Sequence, residues 1–572
     1  MVPQFRFSPA AQPALRIGIL LDSSKPSGFF AKVIEDIQAS NFARIELLVY
    51  RKKALGSKPP NSRLANWSER LLDSSKRKRL LYEMYQRFDQ RNQGANHPLT
   101  AVDCAQRLAG IESIEVEPVG KKFIHRFPEN ALEQIRSKNL DVLLRFGFNI
   151  LHGEILTAAR YGVWSYHHGD NDFYRGGPAL FWELYENSPL CGVLLQVLTE
   201  ELDGGLVLCK SLFATEPTLS VAKNRYVPYW GSTDLVIRKL NELHQVGWQQ
   251  VRQRSVPAAP YQGKRQIYRT PTNLEMVRWL APAALKKAAS RILSRKTVQH
   301  WRIGVRVNAN QPLGSGAVDG LQDFRWIEPP KGHFWADPFA ISVNGKYWAY
   351  FEDYSYQSSV GRIACAEISS DGSLVSPISC IEHPDKHYSY PCVFRCGAEI
   401  FMVPESGGSN SIDLYRCEEF PGRWVWQSTL LQGKFVDTTI WQQDGLWWLM
   451  TTSAQPDSRA GSLLLFYAES PVGEWKFHPA NPISTDIRNN RGAGQVFQSG
   501  EKWIRPSQSG CPNYGRSFSL NEIIELSPQR YAERPLTSVE PWDGLCGVHT
   551  YNRVDQLELI DGATMTSQNE VE

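Results

Sequence analysis

The sequence predicts an α/β domain on a mostly parallel, Rossmann-like sheet, followed by an all-β five-bladed propeller. Two observations carry this. In the first 250 residues, short apolar runs alternate with segments of helical spacing, as in Arg16–Asp22, Phe29–Ser40 and Arg44–Tyr50. After His300 the texture changes to short strands joined by turns such as Val343-Asn-Gly345, Ser370-Asp-Gly372 and Gln443-Asp-Gly445. There, segments of strand, turn and strand recur with a period of roughly 50 residues, the mark of a propeller. The expected divisions are 1–250 for the α/β domain, 251–299 for a linker, 300–562 for the propeller and 563–572 for a disordered tail.

Arg16–Asp22 is bounded by polar residues and reads as a buried strand. Phe30, Val33, Ile34 and Ile37 share one helical face, and Arg44–Tyr50 is the next strand, which completes a right-handed βαβ unit. No Gly-x-Gly-x-x-Gly follows the first strand, which argues against a nicotinamide cofactor. Lys76-Arg-Lys-Arg79 reads as a solvated helix face. Leu140–Gly147 is a further strand, followed by Phe148-Asn-Ile-Leu151; Gly147 allows close approach of a flat ligand, or simply makes a turn. Val193–Leu198 and Leu206–Leu208 read as strands, and Ser220–Leu243 as one or two helices.

One stretch concentrates the chemistry: Gly162-Val-Trp-Ser-Tyr-His-His-Gly-Asp-Asn-Asp-Phe-Tyr-Arg-Gly-Gly-Pro178. His167, His168, Asp170 and Arg175 stand at the end of an apolar strand, where open α/β sheets place ligands. A carboxylate, Asp203, lies at a second strand end. A base with an acid to orient it is the minimum equipment for proton transfer near neutrality.

This stretch resembles the signature of the folate-dependent formyltransferases: Asn-x-His, then a loop ending in Arg-Gly, then Leu-Asp-x-Gly. His167, Arg175-Gly176 and Asp203 match, Ser165 stands at the family asparagine, and the resemblance spans roughly residues 15–245. It implies N10-formyltetrahydrofolate as formyl donor and an amine acceptor. His167, Asp203 and Ser165 would be the catalytic groups. Gly147, Phe148, Ile150 and Leu151 would give backbone contacts to the pterin. His168, Asp170 and Arg175 are candidates for substrate contacts, each with a purely structural alternative.

Residues 251–263 are rich in Pro, Ala and Arg and read as a boundary. Residues 273–295 form a basic amphipathic segment that either lies on an anionic membrane surface or packs between domains. Beyond it, the repeats place Asp337, Glu405, Asp437, Arg491, Gln495, Arg505 and His549 on or beside the strands that line the propeller channel. Carboxylates, arginines and aromatics converging there are what a sugar pocket uses.

This half resembles the five-bladed propellers of family-43 and family-32 glycoside hydrolases. It is also similar to the N-terminal region of plant glucosamine inositolphosphorylceramide transferases, through Ala336-Asp-Pro-Phe339 and Gly547-Val-His-Thr-Tyr-Asn552. The resemblance implies Asp337 as the base and Asp437 as the carboxylate that tunes the acid. The hydrolase glutamate is replaced by Arg491-Gly-Ala-Gly-Gln495, which leaves Glu405 as the substitute acid.

A net charge of +4 over 572 residues argues against a nucleic-acid partner. The ten cysteines contain no Cys-x-x-Cys pair, so reduced thiols in a cytoplasmic protein and no metal are expected, and no signal peptide or membrane span is read. The expected function is transfer of a formyl group to a nucleotide- or lipid-linked amino sugar, with a propeller that binds or processes carbohydrate. The alternatives are a formyltransferase scaffold adapted to glycosyl transfer or hydrolysis, and a propeller that only binds glycan.

Overall fold

The computed structural model describes residues 3–52, 77–120, 123–257, 259–282, 297–307, 313, 320–454, 459 and 461–571. Lys76 and residues 283–295 of the basic segment lie outside the described residues. The chain forms two compact units, Met1–Leu293 and Ser294–Glu572. Among the described residues, no helix is long and apolar enough to cross a membrane.

The first unit is a Rossmann-like α/β domain. Its strands are β1 (Leu15–Leu21), β2 (Ala43–Arg51), β3 (Ser113–Val116), β4 (Ile124–His125), β5 (Val142–Arg145), β6 (Ile150–Leu151), β7 (Val163–His168), β8 (Leu190–Val197) and β9 (Leu206–Ala214). Seven of them form one sheet in the order β3-β2-β1-β5-β7-β8-β9, while β4 pairs with β6 alone. Pairing is parallel from β3 through β7 and antiparallel from β7 to β9. β1 buries Ile17, Ile19 and Leu20 completely. A Cβ at Gly18 would come within 2.6 Å of Leu140, so the glycine is what lets that side chain lie on the strand. The helix Gly28–Gln38 is capped by Ser27 and turns Phe29, Val33, Ile34 and Ile37 inward; Phe30, read as part of that face, stays partly exposed while Phe29 takes its place. The chain leaves β1 toward β2 and later returns to β5 on β1's other side. The crevice at the C-terminal ends of β1 and β5 is therefore the switch point of the sheet.

The second unit is a five-bladed propeller. Blades one to three are His333–Ile381, Tyr388–Gln432 and Phe435–Phe477, each of four antiparallel strands. Blade four runs from Arg491 to Val539. Blade five is shared by the two ends of the unit: Tyr551–Val554 and Leu557–Ser567 come from the C-terminus, Thr297–Arg306 and Arg325–Ile327 from the N-terminal side. Asn344 and Gly345 both have positive φ, as do Asp444 and Gly445, which is the hairpin geometry the Asn-Gly and Asp-Gly pairs predict. Aromatic pairs join neighbouring blades: Phe339 with Tyr390, Trp348 with Phe420, and Phe394 with Trp447.

The expected disordered tail, 563–572, is corrected here. Thr297–Arg306 pairs with Leu557–Ser567 along its whole length, from Thr297↔Ser567 to Arg306↔Glu558. The short helix Gln568–Val571 follows, and the Val571 carbonyl accepts a hydrogen bond from Gly332 N at 2.9 Å. Polar composition misled the reading because this strand is held by a backbone ladder, and its two deeply buried acids, Glu558 and Asp561, are satisfied.

The first strands of blades one to three each contain a bulge at the same place, between Ala336 and Phe339, Ser389 and Cys392, and Val436 and Thr439. The residue inside each has a left-handed backbone: Asp337 (φ 50°), Tyr390 (φ 45°) and Asp437 (φ 52°). A bulge re-aims the side chain it carries, here toward the ring axis. Deleting residues 557–572 should abolish the cooperative melting of the propeller and redden its tryptophan fluorescence. A truncated chain that melts like the full one would refute closure by this strand.

Candidate functional site

In the first unit, β7 carries Ser165 and His167 on one face, and the turn after Glu201 brings up Asp203. His167 Nδ1 lies 3.3 Å from Asp203 Oδ1. Burial opposes a charge on the ring, but Asp203 outweighs it and raises the His167 pKa; the Asp203 pKa is lowered in turn, against its own burial. The other ring nitrogen, Nε2, donates to the Tyr174 carbonyl at 2.9 Å. Gly176 N donates to Asp203 Oδ2 at 2.9 Å. The predicted pair is therefore assembled, but the loop from Gly169 to Gly176 folds back and occupies both members.

The three residues read as substrate contacts are also held by the chain. Asp170, with Asp172, pairs with Lys210 Nζ at 2.7 and 2.6 Å. His168 stacks on Tyr229 with centroids 3.8 Å apart, and burial, then the charge of His167, depresses its pKa strongly. Arg175 meets Glu201 at 3.1 Å, the Asn171 carbonyl at 3.2 Å and the face of Tyr261.

The groups expected to hold a pterin do not fit one as arranged. Phe148 N donates to Asp22 Oδ1 at 2.9 Å, Asn149 N to His125 Nδ1 at 3.2 Å, and Ile150 N to the Phe123 carbonyl at 3.0 Å. Leu151 lies in β6, beside His125 of β4. Arg145 donates to the Asn149 carbonyl at 3.2 Å and to Ser165 Oγ at 2.9 Å, so the hydroxyl at the family asparagine position is engaged as well. Gly147 is required by its own chain: a Cβ there would lie 2.5 Å from Asp22 N, which is reason enough for the glycine in the alternative of a turn. Sequence reasoning missed Arg145 and also Glu183, a carboxyl near His167 that burial pushes up to about 7.

In the second unit a cavity of about 160 Å³ opens among the first strands of the blades. Its acids are Asp337, Glu352, Glu405 and Asp437; Arg491, His387 and His549 face them, with Trp301, Phe334 and Tyr514 on the wall. Glu352 and Glu405 are equivalent: each pairs across its blade with the residue just before the bulge, Ala336 and Ser389. Glu405 Oε2 accepts from Asp437 N at 3.0 Å, and Oε1 has no hydrogen-bond partner among the described residues. Burial, then the charge of Asp437, pushes the Glu405 pKa up to about 8. Burial and then Asp337 raise Glu352 well above the carboxylate range, and burial also raises Asp437 against the pull of Arg491. Arg491 grips Asp437 through Nε at 2.5 Å and Nη2 at 3.1 Å, and lies over the Tyr514 ring.

The far wall is set by Asp561, buried on the strand that was read as ending at the tail. Its carboxylate accepts from Asp337 N at 3.0 Å, His549 N at 3.0 Å, Thr550 N at 2.9 Å and Thr550 Oγ1 at 2.8 Å. His549 lies between two acids, Nδ1 at 2.9 Å from Asp561 Oδ2 and Nε2 at 3.2 Å from Asp337 Oδ1. Burial opposes its charge, but Asp561 and Asp337 outweigh this and hold its pKa at about 10. Asp337, His549 and Asp561 could by position ligate a metal ion, their ligand atoms lying within 4.8 Å of one another. A metal there would have to displace the imidazole proton.

Five of the seven predicted channel residues thus meet at the cavity: Asp337, Glu405, Asp437, Arg491 and His549. Gln495 does not line it; it braces blades, donating through Nε2 to the Ile440 carbonyl at 2.7 Å and through its backbone to Asn552 Oδ1 at 2.8 Å. Arg505 is a correction: both its Nε and Nη2 bond Glu533 at 2.7 Å, on the outermost strand of its own blade. Among the residues missed, Asp561 had a usable signal, since it faces Thr550 across its blade much as Glu352 faces Ala336.

Compared with known proteins, residues 328–557 match the family model described as glucosamine inositolphosphorylceramide transferase 1, N-terminal. The glucosamine inositolphosphorylceramide transferase 1 of Oryza sativa subsp. japonica is 29% identical over 242 residues, covering 40% of this chain and 32% of that protein. The Arabidopsis thaliana protein of that name is 31% identical over 205 residues, covering 35% and 27%. The chain thus matches less than a third of either relative's length. Among solved structures, glycinamide ribonucleotide transformylase 1 from Symbiobacterium toebii is 14% identical, covering 40% of this chain and 88% of that one at a TM-score of 0.27. Zg3597, a family 117 glycoside hydrolase from Zobellia galactanivorans, is 13% identical, covering 47% and 92% at a TM-score of 0.31. At such scores neither likeness bears on function.

The raised pKa values of Glu405 and His549 predict how the propeller's stability depends on pH. The Glu405 contribution is complete below its ordinary 4.5 and is lost as pH rises through about 8. The His549 contribution is complete below 6.5 and is lost on approach to about 10. Stability should therefore fall between pH 5 and 10, and Glu405→Gln should flatten the part below 8, in urea titrations across that range. A wild-type profile that rises through the window would overturn these assignments.

Proposed function

We propose that this protein is an enzyme acting on a carbohydrate, with the propeller cavity as the site where a glycosyl bond is made or broken. The observation that supports it best is two carboxyls in one cavity, differently held, each with one oxygen left open. Glu405 keeps its proton up to about pH 8, with Oε1 unpartnered among the described residues. Asp337 has Oδ1 held by Thr550 at 3.0 Å and by His549, while Oδ2 makes no hydrogen bond among the described residues. In this reading Glu405 gives its proton to the leaving glycosidic oxygen as the C–O bond breaks. Asp337 accepts the proton of the incoming hydroxyl as the new C–O bond forms, which is the division of labour of paired carboxyls in glycosyl chemistry. Trp301 offers a sugar a flat apolar face, and the Arg491–Asp437 pair offers hydrogen bonds to its hydroxyls. The substrate class is an amino sugar on a lipid-linked acceptor, because the relatives that match carry names coupling glucosamine, inositolphosphorylceramide and transfer.

A second reading keeps formyl transfer from N10-formyltetrahydrofolate to an amino sugar in the first unit. It is favoured by the His167–Asp203 pair, whose raised imidazole pKa suits a base. It requires residues 147–151 to give up their own hydrogen bonds first. Calorimetric titration with the folate donor tests it: heat of binding lost in His167→Ala would support it, and no heat at high concentration would remove it.

For the first reading, Asp337→Asn and Glu405→Gln should each lower kcat about 10²–10⁴-fold on a glucosamine-bearing glycolipid, with KM little changed. Wild-type turnover followed by mass spectrometry should also fall above about pH 8. Unchanged turnover with weakened glycan binding would make the propeller a binding module instead.

A further inference from the structure

The crevice at the switch point of the first unit holds a cation that neither reading of function uses. Arg145 ends β5, the strand beside β1 on the far side of that switch. Its side chain is enclosed by the fold while the residue keeps some exposure, the situation of a group at the bottom of a cleft. Its hydrogen bonds all go to neutral atoms: Nε to Ser165 Oγ at 2.9 Å, and Nη1 to the Asn149 carbonyl at 3.2 Å and the Phe148 carbonyl at 3.5 Å. Nη2 has no partner among the described residues.

No carboxylate among the described residues forms an ion pair with it. The two nearest acids are both otherwise engaged. Asp203 pairs with His167 at 3.3 Å, and Asp22 pairs with Arg51 at 2.9 Å while accepting from Phe148 N. Burial outweighs the pull of both acids on Arg145 and lowers its pKa. Arg51, the cation that pairs with Asp22, ends β2, on the other side of β1. An enclosed charge without a counter-ion is costly, and folds retain one where a ligand supplies the missing partner. Phe146, the residue after Arg145, stacks on Phe30 with centroids 4.4 Å apart, both partly exposed.

We propose that this crevice binds a small ligand through an oxyanion, carboxylate or phosphate, with Arg145 as its counter-ion. The site occupies the position that the resemblance reserved for a pterin, and explains why the backbone there is turned inward. Arg145 holds the carbonyls of Phe148 and Asn149, so the loop offers a charged fork where the resemblance placed free peptide groups. The inference stands on the first unit alone and is independent of the chemistry proposed for the propeller.

The test uses the full chain, melted in sodium chloride, sodium phosphate or sodium acetate at matched ionic strength. One of the two oxyanions should raise the melting temperature of the wild type by about 2–4 °C over chloride, and which one does so identifies the group. Arg145→Leu should show no oxyanion response. Arg145→Lys keeps the charge without the fork and should retain a reduced response. The proposal is overturned if neither oxyanion shifts the wild type, or if the shift persists in Arg145→Leu. A leucine variant that fails to fold, alongside a lysine variant that folds without any response, would equally overturn it by marking Arg145 as a strut.

Discussion

One buried carboxylate, Asp561, holds the propeller ring closed and its cavity in shape. It stands on a strand from the C-terminal end of the unit, in the blade completed by strands from the other end. From there it accepts backbone hydrogen bonds from Asp337 in blade one and from His549 and Thr550 in its own blade. The same oxygens hold the imidazole of His549 in its charged form, and that imidazole in turn holds Asp337. A fully buried carboxylate is tolerable only when its lone pairs are met and a cation stands beside it. Both conditions depend on blade five having formed, so ring closure and cavity chemistry are one event.

The cavity shows how a fold made of apolar strands can gather acids without drowning them in water or in one another. In blades one to three a bulge with a left-handed residue turns a side chain toward the axis. In blades one and two the cross-strand partner of the preceding residue supplies a glutamate. Like charges at such density cannot all ionise, and the outcome is sorted by burial and neighbours. Arg491 and His549 each stand against a particular aspartate, whereas Glu352 and Glu405 retain their protons.

The first unit handles its polar groups in the opposite way. His167 and Asp203 meet as the motif demands, but Tyr174 and Gly176 close over them, and Asp170 and Arg175 brace the loop that does so. The family-like signature therefore does double duty as a self-satisfying turn. Arg145 reaches to the Ser165 hydroxyl, which leaves a positive charge at the end of β5.

Local chemistry was readable from the sequence alone. The period of apolar residues marked β1 and the helix Gly28–Gln38, the Asn344-Gly345 and Asp444-Gly445 pairs marked hairpins, and the recurrence of strand, turn and strand marked blades. The same recurrence singled out Asp337, Asp437 and His549, because a repeat places equivalent positions at equivalent radii. What only the tertiary structure decided was the partner each charge meets. Arg505 looked like a channel residue until register set it against Glu533, and residues 563–571 looked like a tail until Thr297–Arg306 gave them a ladder. Arg145, inconspicuous inside the run Leu140–Gly147, stood out only once Ser165 and the Asn149 carbonyl bonded it. Turn type and periodicity depend on a few neighbouring dihedral angles, whereas the partner of a buried charge is set by strands hundreds of residues apart, so composition fixes the first and packing the second.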